Sequence, residues 1–365
     1  MTSYNKNQPH NDLPALPPQA VDLETPEILR NLSRASRQLG ELKGLSASLP
    51  DPQLLINTIV LQESKDSSAI ENIVTTQDEL YKAAAEIETA SGAAKEVLNY
   101  REALYVGLNK MQSQKNLLLT NTIIDIVQTI KQNTAGIRNT TGTALKNAIN
   151  GEVVYTPPCC QDVIREKLSE LEKFINDETL PGLDPLIKMA LIHYQFEAIH
   201  PFPDGNGRTG RILNALYLVQ QDLLTQPILY LSSYIVKYKT EYYQLLRGVT
   251  ENDNWHDWVM YMLTAITETA QLTASKIRKM LELKDAIEKE MKNALGSSYS
   301  YDVLQLMFKL PYLRIELLEK TGLAHRQTAS NWLKKLTDAK VVNPRKVGRT
   351  TYYINYRLME LLSAN

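Results

Sequence analysis

His200-Pro201-Phe202-Pro203-Asp204-Gly205-Asn206-Gly207-Arg208-Thr209-Gly210-Arg211 decides how this chain is read. It places a candidate general base, a metal-capable carboxylate, a glycine-flanked turn and two cations in one short stretch. Gly205 and Gly207 flank Asn206, so the backbone can take positive φ and bring bare N–H groups close to a ligand. The residues from Arg208 to Leu218 read as a helix whose N-terminus points at that turn. Unpaired N–H groups and partial positive charge make such an end a phosphate site. Arg208 and Arg211, spaced i,i+3, emerge on one helix face, and each can fork onto phosphate oxygens. Singly, each part has a plainer reading: a loop histidine before proline, an ordinary turn, a capping residue. Together they suit a magnesium nucleoside triphosphate.

The stretch resembles the signature of the Fic (filamentation induced by cAMP) family, H-x-F-x-[DE]-G-N-G-R-x-x-R, and every specified position is matched. Most members transfer AMP from ATP to a hydroxyl of a target protein. The resemblance implies His200 as the base that deprotonates the attacking hydroxyl. It implies Asp204 as the ligand of Mg²⁺ (with Mn²⁺ able to stand in), and Gly205, Asn206 and Gly207 as an anion cradle. Arg208 and Arg211 would position the β- and γ-phosphates. Phe202, Thr209 and Gly210 complete the implied nucleotide site. The chemistry agrees: phosphoryl-type transfer asks for positioning and charge stabilisation, and an imidazole is suited to accept the proton.

Far upstream, Asp66-Ser67-Ser68-Ala69-Ile70-Glu71-Asn72-Ile73 sets Ser67 and Glu71 i,i+4 apart. Alone, this reads as an amphipathic helix start, with Ser67 as N-cap and Glu71 a solvated charge. Beside the signature, it resembles the family's inhibitory motif [ST]-x-x-x-E-[GN], with Ser67, Glu71 and Asn72 in place. The resemblance implies that Glu71 pairs with Arg211 and denies ATP its productive pose. Some relatives use the equivalent glutamate to remove AMP, so the reverse reaction stays open.

The 365 residues exceed one ordinary domain. A 43% hydrophobic and 22% charged composition is that of a globular protein, and the net charge of -1 advertises neither nucleic acid nor membrane. The only cysteines, Cys159 and Cys160, are adjacent. That argues against a disulfide framework and, with five scattered histidines, against structural zinc. With no apolar leader and no membrane-length apolar run, a cytoplasmic protein is expected.

The fold class expected is mainly α: a helical core with a β-hairpin flap, then a C-terminal winged helix-turn-helix domain. The expected organisation is an N-terminal helical region with the inhibitory motif (1–95), a catalytic core (96–282), a helix and linker (283–298) and the terminal domain (299–365). Residues 1–23 read as an extended arm. Helical spacing runs through Thr25–Leu42, Pro52–Ser64, Gln77–Ala90, Ala93–Asn109, Leu117–Gln132, Asp162–Asn176 and Pro185–Ala198. The glycine-rich, β-prone stretch from Gly136 to Pro158 reads as a hairpin. By resemblance it is a flap that docks the target's extended segment, through Val153, Val154 and Tyr155. Tyr242 is a candidate contact to the base, also by resemblance. His193 reads as a packing or hydrogen-bonding residue, Trp255 and Trp258 as packing anchors, and His256 as structural.

From about Trp255 to Glu282 a long helix is expected, then a charged helix ending near Lys292 and a linker at Ala294–Ser298. Helices follow at Tyr301–Phe308, Tyr312–Lys320 and Arg326–Asp338, then a hairpin of Val341–Asn343 and Thr350–Ile354 with a basic tip. Residues 296–365 carry eleven Lys and Arg against five Asp and Glu. That supports DNA as a partner, through His325, Arg326, Gln327, Ser330 and Asn331 with Arg345, Lys346 and Arg349 on the wing. Three functions stay open at this point: a protein adenylyltransferase that also modifies itself, a DNA-binding regulator sensing nucleotide, and a transferase of another phosphate-linked group. The expected partners are a hydroxyl-bearing protein substrate, DNA, and a second copy of the chain as a homodimer, with no membrane.

Overall fold

The computed structural model describes residues 4–19, 21–47, 52–85, 91–147, 150–177, 183–347 and 349–363, the side chains of 52–57 and 347 excepted. The N-terminal arm lies back across the molecule. The His10 N–H donates to the Thr156 carbonyl at 3.0 Å, and the Thr156 hydroxyl donates to the Lys6 carbonyl at 2.7 Å. Helices α1 (Pro26–Ala47) and α2 (Pro52–Ile70) both start on proline, whose fixed φ and missing N–H suit a first turn. Helix α3 (Gln77–Ala84) opens with a reciprocal cap between Thr76 and Glu79. Its expected extension through 86–90 lies outside the described residues.

Helices α4 (Gly92–Ser113) and α5 (Thr120–Lys131) pack on one another and on the core. Gly107 sets their spacing: a Cβ there would lie 2.7 Å from Leu216 and 2.8 Å from Ile126. The hairpin follows as β1 (Leu145–Lys146) antiparallel to β2 (Val153–Tyr155), shorter than expected, with 148–149 outside the description. Then come α6 (Gln161–Asn176) and α7 (Pro185–Ile199), the latter capped by Asp184. Helix α7 is buried on nearly every side, as its apolar run requires. Against it packs α8 (Asn206–Gln220), and α7 also packs on α11 (Trp255–Leu295), which carries the aromatic-rich α9 (Leu231–Lys237) and α10 (Lys239–Asn252).

The expected break between two helices near Glu282 does not occur. Helix α11 runs on because Met280, Ile287, Met291 and Leu295 keep burying one stripe. A short 3₁₀ turn at Gly296–Ser298 stands where a linker was expected.

The C-terminal unit is α12 (Tyr301–Lys309), β3 (Tyr312–Leu313), α13 (Ile315–Lys320), α14 (Arg326–Asp338), β4 (Asn343–Val347), β5 (Thr350–Ile354) and α15 (Tyr356–Ser363), with antiparallel strand order β3-β5-β4. Two expectations fail here, and one element is new. Tyr312 and Leu313 are a strand, pairing with Ile354 and Tyr353, where a helix start was expected. Val341 and Val342 precede the strand as buried turn residues. The closing helix α15 was not foreseen, although Leu358 and Leu362 give it an i,i+4 apolar pair.

This unit rests on α2 and α3. The Gln62 side chain donates to the Leu362 carbonyl, and the Tyr312 hydroxyl donates to Asp78. Among the described residues no helix is long and apolar enough to cross a membrane.

Candidate functional site

Helix α7 ends abruptly at His200, whose backbone turns left-handed (φ 46°, ψ 58°) while its N–H still bonds the Phe196 carbonyl at 3.1 Å. That reversal throws the imidazole off the helix line and starts the return toward α8. Arg138 holds the turn from behind. Its Nε donates to the His200 carbonyl at 2.7 Å, and its Nη2 donates to the Pro158 carbonyl at 2.5 Å and the Ile199 carbonyl at 3.3 Å. Burial, and after it the Arg138 charge, hold the His200 imidazole down at about 4, so it is neutral near pH 7. Its Nδ1 is buried without a hydrogen-bond partner.

The loop from His200 to α8 is closed by Asn206. The Phe202 N–H donates to Asn206 Oδ1 at 2.9 Å, and Asn206 Nδ2 donates back to the Phe202 carbonyl at 2.8 Å. The Asn206 side chain therefore clamps the loop and does not line a cradle; what it offers an anion is its backbone N–H. Gly205 takes φ 84°, the conformation its lack of a Cβ was expected to serve. With Asn206, Gly207 and Arg208 in the first turn of α8, their N–H groups have no intrahelical acceptor.

An anion already sits at this helix end, and it belongs to the chain. Glu71 lies just past α2, and Asn72 beyond it turns left-handed (φ 62°). A Cβ on Gly207 would overlap Glu71 Oε1 and lie 3.0 Å from Arg211 Nη1. Arg211 is buried. Its Nη2 donates to Glu71 Oε1 at 2.9 Å and to the Ser67 carbonyl at 2.9 Å, and its Nε donates to Ser67 Oγ at 2.8 Å. Burial by itself would lower Arg211, but Glu71, then Tyr242 and Glu197, hold its pKa above the ordinary value. Ser67 is no N-cap: it is a fully buried residue of the last turn of α2, and the segment ends a helix instead of starting one.

Arg208 shares the face of Arg211 in sequence but goes elsewhere. It is buried, with Nη1 donating to Glu96 Oε2 at 2.7 Å and Nη2 3.9 Å from Asp204 Oδ1. Asp204 stays largely exposed and pairs with Lys131 at 2.5 Å. Partial burial would raise its pKa; Lys131, the Gly205 N–H and Arg208 outweigh it, and the carboxyl is held below the usual range. No cluster of three or more His, Cys, Asp or Glu gathers for a metal among the described residues. Mg²⁺ usually takes one or two carboxylates plus substrate phosphates, a donor set that Asp204 beside the α8 N-terminus fits. Thr209 and Gly210 are buried in α8.

Two expected contacts turn inward. Tyr242 is 1% exposed, its hydroxyl 2.8 Å from His193 Nε2, within a cluster with Trp258 and Tyr261. A residue so enclosed packs the core and is not free to meet a base. Its neighbour Tyr243 is 44% exposed and lies within the electrostatic reach of Glu71 and Arg211. Tyr155 likewise donates its hydroxyl to the Ala198 carbonyl at 2.8 Å and stacks on Tyr4, anchoring the hairpin. Only Val153 and Val154 keep partial exposure.

His193 is structural as expected, buried between Tyr242 and Asn214, and so are Trp255 and Trp258. His256 is half-buried, 3.1 Å from Asp257 and 3.7 Å from Glu27 of α1, contacts that suit a structural residue. The sequence reading missed Arg138, Lys131, Glu96, Glu197 and Tyr243, which lie in unrelated helices and loops with no motif to mark them.

Three family descriptions match in succession: "Fic/DOC family N-terminal" over residues 29–109, "Fic/DOC family" over 117–218, and "Protein adenylyltransferase SoFic-like, C-terminal domain" over 283–358. Among curated proteins, protein adenylyltransferase fic-1 of Caenorhabditis briggsae is 36% identical over 63 residues, 17% of this chain and 12% of that protein. Protein adenylyltransferase Fic of Drosophila erecta is 33% identical over 86 residues, 24% of this chain and 16% of that one. The matched segments are thus a small part of those relatives. Among solved structures, a Fic family protein from Desulfovibrio desulfuricans G20 superposes with a TM-score of 0.57 at 19% identity, covering 90% of this chain and 96% of that one. Fic-1 (aa134 - 508) from C. elegans superposes with a TM-score of 0.54 at 18% identity, covering 71% and 75%. These likenesses agree on the fold.

Proposed function

The chain belongs to the Fic/DOC family, and we propose that it is a protein adenylyltransferase held in check by its own Glu71. The observation that carries this reading is the Glu71 carboxylate lying on Gly207 while paired to Arg211, at a helix end fitted for phosphate. In the released enzyme, the free N–H groups of Asn206 and Gly207 and the Arg211 guanidinium hold the ATP phosphates. Asp204 would hold Mg²⁺, which when bound supplies charge neutralisation to the phosphates. Neutral His200 takes the proton of a target Ser, Thr or Tyr hydroxyl. The hydroxyl oxygen bonds the α-phosphorus as the bond to the β-phosphate oxygen breaks, so pyrophosphate leaves and AMP stays on the target. Val153 and Val154 offer the hairpin edge to the target's extended segment. Tyr243 replaces Tyr242 as the aromatic at the rim.

Incubating the Glu71→Gly protein with α-labelled ATP and Mg²⁺ tests the reading. Label should enter the protein itself or an added hydroxyl-bearing partner, and Glu71→Gly/His200→Ala should take up none. Equal labelling of the two variants sinks the assignment.

A second reading concerns the C-terminal unit, where α13, α14 and the β4–β5 hairpin stand in the order of a winged helix. His325, Arg326, Gln327, Asn331, Lys334 and Lys335 are exposed along α14, and Arg345, Lys346 and Arg349 are exposed on the hairpin, whereas Ser330 is half-buried. We infer a duplex-DNA face there. Affinity of the full chain for duplex DNA should fall steeply between 50 and 200 mM salt; no binding at low salt removes this role.

A further inference from the structure

Glu197 lies one turn before His200 on α7 and has no part in the reaction just described. Its Oε1 is buried with no hydrogen-bond partner, which is rare for a carboxyl oxygen inside a fold. Gly210 is what admits it. A Cβ on Gly210 would lie 2.5 Å from Glu197 Oε1 and 3.0 Å from Phe196 Cδ1, so any larger residue would push the carboxyl off α8. The groups that face it are Arg211 of α8, Glu71 beyond α2, and Tyr242 and Tyr243 of α10. Burial, opposed by Arg211 and reinforced by Glu71, brings its pKa to about 7.

With Glu71 in place, Arg211 already has a carboxylate, and a second one is redundant. Without Glu71, Arg211 becomes a buried cation whose remaining partner is Ser67, and an uncompensated buried charge is strongly destabilising. Two carboxyls feel that charge, buried Glu63 and half-buried Glu197. Glu63 is engaged, accepting from the Ser232 N–H, the Ser232 hydroxyl and the Tyr100 hydroxyl. Glu197 is the one with a bare oxygen.

We propose that Glu197 is the reserve counter-ion of Arg211, a positioning residue that receives the guanidinium when Glu71 withdraws and yields it to the incoming triphosphate. This rests on the reading that Glu71 is a removable inhibitor. Withdrawal of Glu71 takes away one negative neighbour and leaves Arg211 unneutralised, so Glu197 then gives up its proton more readily. The ionised carboxyl in turn keeps Arg211 at its place on α8.

Thermal unfolding of four nucleotide-free proteins decides the matter: the unaltered chain, Glu197→Gln, Glu71→Gly and the double variant. Glu197→Gln should shift Tm by less than about 1 °C while Glu71 is present, and lower it by about 4 °C or more in the Glu71→Gly background. Saturating ATP should close that gap, because the triphosphate takes over the guanidinium. Equal shifts in both backgrounds overturn the proposal. If the double variant does not fold, Gly210→Ala in the same two backgrounds makes the same comparison, its Cβ displacing the carboxyl. The Tm cycle asks nothing of catalysis, so its failure is separable from failure of AMP transfer.

Discussion

The Glu71 carboxylate rests against Gly207 so closely that a Cβ on the glycine would overlap Oε1. The chain thereby supplies its own anion to the N-terminus of α8, from a residue just past α2 that lies 140 residues before its partner Arg211. An acid at that place gains from the first-turn N–H groups and the helix dipole as a phosphate would. On the proposed function, inhibition by Glu71 and binding of the ATP phosphates compete for the same physical feature.

Gly207→Ala separates the two. Its methyl group must evict Glu71, yet it also fills the space a phosphate needs. The variant should lose the Glu71–Arg211 pair without gaining activity, and bind ATP at least tenfold more weakly than Glu71→Gly in calorimetry. AMP incorporation equal to that of Glu71→Gly would show that Gly207 does not shape the phosphate site.

Ser67→Ala removes the hydroxyl that receives Arg211 Nε at 2.8 Å but leaves the Ser67 carbonyl and Glu71 in place. A buried hydrogen bond to a charged group contributes about 1.5–3 kcal/mol. AMP incorporation should rise by severalfold, less than with Glu71→Gly, and the urea midpoint should fall. A variant as active as Glu71→Gly would mean that Ser67, and not the acid, carries the restraint.

His200 sets the acid limit. Its folded pKa, about 4, lies below its unfolded value, so the unfolded chain takes up the proton first as pH falls. Stability is lost between about pH 6.5 and 4 on this account, and fully buried His193, at about 3, acts in the same direction. The pH–rate profile of the Glu71→Gly protein should stay level on the His200 account down to about pH 4 and fall tenfold per unit below. A break near 6.5 would show an imidazole in contact with water.

Arg138→Ala unhooks the carbonyls of His200, Ile199 and Pro158 at once. Leaving buried acceptors unpaired costs about 1–3 kcal/mol each, partly recovered by water, so a net loss of about 2–4 kcal/mol is expected by denaturant unfolding. In the Glu71→Gly background kcat should drop by tenfold or more with KM for ATP little changed. The acid limb should also move up in pH, because a positive charge beside His200 is gone. A change confined to KM would place Arg138 in nucleotide binding.

The signature from His200 to Arg211 could be read in sequence because its parts are contiguous: each alone has a plainer reading, and only their combination points to one ligand. Helices such as α7 were legible for a similar reason, since burial on all sides demands an uninterrupted apolar run. Boundaries were less so: α11 passed through a polar stretch that looked like an ending, because one buried stripe sufficed to continue it. The strand at Tyr312 was misread as helix because its pairing partner, Ile354, lies 42 residues on.

What sequence alone determined is the inventory and its local geometry: a histidine at a helix end, a glycine turn, a fresh helix N-terminus, and an acid far upstream. Tertiary structure alone decided which groups meet. It brought Glu71 onto Gly207, sent Arg208 to Glu96 while Arg211 went to Glu71, turned Tyr242 and Tyr155 inward, and left Glu197 against Gly210. Local order follows from torsions and hydrogen bonds between near neighbours, which a short window contains. Charge pairing and burial depend on distances through space, and those exist only once distant helices have packed.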